Sequence, residues 1–223
     1  MAVIVGILVL QPDIGMTLMV VLTWGFQMFL AGMPMLLVIC IVALAPLGLV
    51  VTYFTLGHVN KRINQFWEGG AWQVEKARDS FANGGLFGVG PGDGTVKHHL
   101  PDAHSDFIFA VAGEEFGALA CLTLLTLYAF IVLRGFSRAM SDEGLFCLIA
   151  SASLLLQFGV QAAIHMASSV HLIPTKGMTL PLISYGGSSL VASGLTMGLI
   201  LALTRRRAPY VLPGRRNLQE ASS

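Results

Sequence analysis

The chain has 223 residues, 55% of them hydrophobic and 11% charged, with a net charge of +1 and a mean hydropathy of +0.74. Water-soluble domains carry about 25% charged residues, so the composition excludes an ordinary soluble domain and points to an all-α polytopic membrane protein. The near-zero net charge offers no electrostatic footprint for nucleic acid, and the cysteines Cys40, Cys121 and Cys147 sit in apolar runs without metal or redox spacing.

In chain order, the opening "MAVIVGILVL" would span only about 15 Å as a helix. It lacks the basic start and small-residue cleavage site of a signal peptide, and is expected to be the end of a longer helix. A hydrocarbon core about 30 Å thick takes about 20 apolar residues. The runs Ile14 to Ala31, Met35 to Leu56, Phe107 to Leu133, Leu145 to Ile173 and Ser188 to Thr204 approach or exceed that length. The expected architecture is about five full transmembrane helices plus a partial N-terminal one, in a single domain over residues 1–204.

Basic residues in short loops mark the cytoplasmic side. Arg134 and Arg138 mark one such loop, and Arg205, Arg206, Arg207, Arg215 and Arg216 mark a basic cytoplasmic tail over residues 205–223. Alternation then places a large outer loop at residues 57–105 and a second at 174–187 on the opposite, periplasmic side. The first of these carries Lys61, Arg62, Lys76, Arg78 and Lys97, either as a solvated loop or as a basic surface for an anionic partner.

Within the large loop, "GGLFGVGPGDGTVKHH" holds six glycines between Gly84 and Gly94. No Gly-Lys-Ser/Thr follows, which argues against a nucleotide loop; glycine here supplies backbone able to take positive φ and approach a ligand closely. The adjacent His98 and His99 lack the spacing that aims ligands at one metal centre. "LPDAHSDFIFAVAGEEFG" then places Asp102, Asp106, Glu114 and Glu115 at the start of an apolar helix. Intramembrane carboxylates are costly and face a bundle interior or cavity. On a continuous helix Glu114 falls about 80° from Asp106 and Glu115 on the opposite face. Glu114 is therefore expected to line a cavity and Glu115 to meet another helix or a Lys/Arg. Asp102 is either a helix cap or a contact for a lipid head. Gly113 and Gly117 read as a small-xxx-small packing seam. In "LIPTKGMTLPLISYGGSS", broken backbone at membrane depth implies burial by protein or a polar cavity.

"QPDIG" at Gln11, "AHSDFIFAVAGEEFG" at Ala103 and "PTKGMTLPLISYGGSS" at Pro174 together resemble the three signature segments of the SEDS family, the FtsW/RodA/SpoVE group, and the division branch more than the elongation branch. Family members have about ten spans, so the chain resembles a C-terminal half. The resemblance implies a bacterial inner-membrane, septal peptidoglycan glycosyltransferase that polymerises lipid II. It would add lipid II to a lipid-linked glycan strand, and work beside a class B penicillin-binding transpeptidase and other division proteins.

Such chemistry needs a base for a sugar hydroxyl and positive charge on a pyrophosphate leaving group. By resemblance Asp106 is the general base, and a divalent cation, Mg²⁺ or Mn²⁺, is the cofactor. Arg62, Lys97 and Lys176 could meet phosphate, with interface snorkelling as the alternative. Ser184 and Tyr185 could bond sugar or pyrophosphate, or satisfy broken backbone. His165 departs from the family pattern, which has Asn there, and Trp72 stands where Tyr is common. A lipid II flippase, which would also use broken helices and intramembrane charge, and a noncatalytic scaffold for the transpeptidase are the alternative functions.

Overall fold

The protein is described by a computed structural model covering residues 2–10, 14–34, 36, 37, 40, 54, 57, 60, 64, 72–100, 102–141, 144–173 and 177–205. Secondary structure among these residues is helical, with no strand. Helices α1 (Ala2–Leu10) and α2 (Ile14–Leu30) come first; α3 is Trp72–Gly84, followed by a 3₁₀ turn at Val96–His99. Then come α4 (Ile108–Ala139), α5 (Leu145–Ser169) and α6 (Gly187–Leu203). The expected span at Met35 to Leu56 lies largely outside the described residues.

Two of these helices, α4 and α5, are long and apolar enough to cross a membrane; α2 and α6 are shorter apolar helices. Helix α5 is central, packing on α4, α2 and α6. Phe109, Cys121 and Tyr128 of α4 meet Phe158, Ala162 and Met166 of α5, with Leu180 closing the cluster. The Tyr128 and Phe158 rings stack with centroids 5.5 Å apart, and the Tyr128 hydroxyl donates to the Pro181 carbonyl. The outer faces of α4 and α6 instead expose Leu122, Leu125, Phe130, Leu133, Val191 and Leu195. A continuous apolar surface of this kind is tolerated in lipid and avoided in water.

Helix α3 is an element that residues 57–105, read as loop, did not announce. Its buried face is made of small residues, Ala77, Ser80 and Gly84, at helical spacing, so no apolar stripe marks it. Small residues let α3 lie close on α4, with Phe81 edge-on to Phe109 at 5.9 Å. Gly85 ends the helix with φ +56.

Helix α4 is broken at Gly117, where φ is +78 and ψ −179. The segment after α3 fills the break. Val89 and Gly90 N–H donate to the carbonyls of Glu114 and Glu115, each at 3.0 Å; Ala118 and Leu119 N–H donate to the carbonyls of Gly85 and Leu86 at 2.9 and 3.3 Å. Helix hydrogen bonds lost at the break are thus replaced by loop hydrogen bonds, which the membrane environment requires. The expected Gly113/Gly117 helix seam holds at Gly113, which packs on α3, and is corrected at Gly117, which meets the loop. Gly113 lies under the Phe81 ring, and Gly117 lies so near Leu86 and Gly88 that a Cβ would collide with their backbone.

Gly117→Ala should therefore cost about 1–3 kcal/mol for backbone strain alone, with the collision added, whereas Gly194→Ala, where a Cβ meets open space, should be neutral. Thermal unfolding of both variants in detergent checks this.

Candidate active site

Asp106 sits in a turn just ahead of α4. The Asp102 carbonyl accepts from the N–H groups of Ser105 and Asp106, at 3.0 and 2.9 Å, and Asp102 takes φ +53 to make the turn. Phe107, not Asp102, caps α4, and no side-chain cap bond forms, so the helix-cap expectation for Asp102 is corrected. The turn is anchored from below by Leu100, Phe107 and Ala110, packed with Ala77 of α3.

A second loop, Gly177 to Gly186, leans on the first. Ser184 Oγ donates to the Ser105 carbonyl at 2.6 Å and accepts from Leu180 N–H at 2.7 Å; Tyr185 N–H donates to the His104 carbonyl at 2.9 Å. Ser184 is 4% exposed, so its hydroxyl is engaged in joining the two loops rather than open to a substrate. Tyr185 is 75% exposed, its ring edge-on to His104 at 5.3 Å. Gly177, at φ +60, stands so close that a Cβ would lie 3.1 Å from Asp106 Oδ2. Beneath, a cavity of about 290 Å³ between α2, α5 and α6 is lined in part by Gly177, Met178, Gln161 and Ser193.

The Asp106 carboxyl is held above the ordinary aspartate range. Burial is the main cause and the Asp102 charge adds to it; His165, a Ser105 hydrogen bond and His104 oppose it more weakly. A carboxylate that is costly to ionise binds its proton more readily, the property a base needs near neutral pH.

Glu114 and Glu115 face inward to the protein. Glu114 is 0% exposed. Its Oε1 accepts from Asn83 Nδ2 at 2.9 Å and from Thr95 and Val96 N–H at 2.8 Å, and Oε2 accepts from Lys97 N–H at 3.0 Å. The expected cavity-lining, substrate-binding role of Glu114 is corrected: its oxygens are occupied, and the wheel argument assumed an unbroken helix from Asp106. Lys97, expected on phosphate, pairs with Glu115 and donates to the Gly92 carbonyl at 2.9 Å. The glycine segment wraps these carboxylates, with Gly94 too close to Glu114 for a Cβ to be added comfortably. Arg62 and Lys176 lie outside the described residues.

Among the described residues, the donor set does not match the implied divalent cation. Among the described residues no three His, Cys, Asp or Glu side chains converge; His99 Nδ1 faces the Thr95 carbonyl at 3.3 Å, and Glu114 and Glu115 are taken.

Among the described residues, the fold and site define a helical membrane protein with a partly buried carboxylate, held above its ordinary range, on a braced turn at the end of the bundle. A profile of the cell cycle protein family that groups FtsW, RodA and SpoVE matches residues 1–208, and the chain belongs to that family. It is 43% identical over 206 residues to the probable peptidoglycan glycosyltransferase FtsW of Caulobacter vibrioides, covering 91% of this chain and 53% of that protein. It is 32% identical over 206 residues to the peptidoglycan glycosyltransferase RodA of Mycobacterium leprae, covering 90% and 44%. Among solved structures it resembles a chain of a peptidoglycan synthase complex that coordinates polymerization and crosslinking, with TM-score 0.75 and 28% identity over 91% of this chain and 58% of that one. It also resembles the rod shape determining protein RodA of Thermus thermophilus, with TM-score 0.58 and 28% identity over 92% and 55%. The chain spans about half the length of the curated relatives it matches.

Glu114→Gln leaves one carbonyl oxygen and an NH₂ donor facing donors that need acceptors. It should cost about 2–3 kcal/mol and speed protease cleavage between residues 85 and 99, read by thermal unfolding and limited proteolysis.

Proposed function

We propose that this chain supplies the catalytic carboxylate of a peptidoglycan glycosyltransferase that joins lipid II units into glycan strands, with Asp106 as general base. The observation that carries the reading is Asp106 itself: a partly buried carboxylate held above its ordinary range, on a braced turn, in a family whose named members are peptidoglycan glycosyltransferases.

In this reading the ionised Asp106 accepts the proton of the 4-hydroxyl of an incoming lipid II sugar. The oxygen attacks the anomeric carbon of the lipid-linked strand, and the C–O bond to pyrophosphate breaks. The exposed Tyr185 ring and the Asp102 carboxylate border the place where sugar would lie. Arg62 and Lys176 are the cations assigned to the pyrophosphate, because Lys97 is engaged by Glu115. The protein acts in the bacterial inner membrane at the division septum, with loops 57–105 and 174–187 on the periplasmic side, five full spans and the tail in the cytoplasm. A class B transpeptidase crosslinks the product.

In the family-length protein, Asp106→Asn should lower the rate of lipid II polymerisation by about 10²–10⁴-fold, the usual worth of a general base. The same change should leave thermal stability equal or higher, since it removes a carboxylate that is costly to ionise. In the parent, activity should fall as pH drops through the raised Asp106 value, so the acid limb of the rate profile lies above the ordinary aspartate range. Undiminished polymer from Asp106→Asn would refute the base, and transfer of labelled lipid II across vesicles without polymer would favour a flippase.

A further inference from the structure

His165 of α5 is 0% exposed. Its Nδ1 lies 2.6 Å from the Met178 carbonyl oxygen. A carbonyl only accepts, so Nδ1 carries the proton, and the neutral ring presents a bare lone pair at Nε2. That Nε2 is buried with no hydrogen-bond partner among the described residues. A buried polar atom left unpaired is costly, and in a native fold it calls for a reason.

The reason lies one residue along the chain. Met178 follows Gly177, whose backbone walls the Asp106 carboxylate. By holding the Met178 carbonyl, His165 fixes that wall. Ser168 and Ser169 of α5 point their hydroxyls at the His165 carbonyl, each at 2.9 Å, not at the ring.

We propose that His165 is a positioning residue for Asp106: its Nδ1–H holds the Gly177–Met178 wall against the carboxylate. The inference rests on the assignment of Asp106 as base.

The test uses the family-length protein in lipid nanodiscs. His165→Asn keeps an N–H for the Met178 carbonyl and should leave both kcat and the KM for lipid II within about twofold of the parent. His165→Leu removes that N–H and should lower kcat about tenfold or more while KM stays within about twofold. A parental kcat in His165→Leu, or a kcat in His165→Asn as low as in His165→Leu, overturns the positioning role. Carboxyl ¹³C NMR of Asp106 supplies a readout independent of polymerisation, its resonance displaced in His165→Leu and parental in His165→Asn. An undisplaced resonance in His165→Leu overturns the inference whatever the assay gives. A displaced one, in a protein whose Asp106→Ala variant still polymerises, upholds the positioning and removes the base assignment instead.

Discussion

The structure depends on a helix that is broken and then stitched. At Gly117 the backbone leaves helical geometry, and the glycine segment after α3 supplies donors and acceptors to groups the break leaves open. In a hydrocarbon medium each unsatisfied backbone group costs several kcal/mol, so break and loop cannot exist separately. Glu114 locks the arrangement: one carboxylate receives three backbone N–H groups and the Asn83 amide. Hydrogen bonds to a charged group are worth about 1.5–3 kcal/mol each, and this set ties residues 83 to 97 onto α4.

That lock bears on the site because the held segment runs directly into the Asp106 turn. Lys97, fixed by Glu115, is followed by the buried Leu100, and Leu100 packs with Phe107, so the turn is clamped at both ends. Ser184 and Tyr185 then join it to the Gly177–Gly186 loop, whose Pro181 and Met178 carbonyls are held by Tyr128 and His165. A catalytic group must be held within a fraction of an ångström of its working position. Here the support comes from the Glu114 and Glu115 carboxylates and from hydroxyls, while Asp106 is left half-buried.

Much of this was legible in the sequence. The apolar runs that begin at Ile14, Phe107, Leu145 and Ser188 become α2, α4, α5 and α6 within a few residues at their starts, because length and hydropathy are sufficient signals for such helices. The glycine run signals backbone suited to close approach and positive φ, but what it approaches is the backbone of α4, where a ligand is expected from sequence. Helix α3 was missed because its buried face is Ala77, Ser80 and Gly84, residues that carry no apolar signal. Glu114, Lys97 and Ser184 were read as site residues because ionisable or polar groups in an oily chain suggest function. Their partners, brought together across 17 to 79 residues of sequence, could not be seen without the fold.

The glycine segment is part of the helical bundle, held by Glu114, and not a mobile surface loop. Backbone amide hydrogen exchange on the family-length protein in nanodiscs tests it most directly. The amides of Val89, Gly90, Thr95, Val96, Lys97 and Ala118 should exchange as slowly as those in the middle of α5. Exchange of the 89–97 amides at the rate of an open loop, with α5 still protected, would contradict the account.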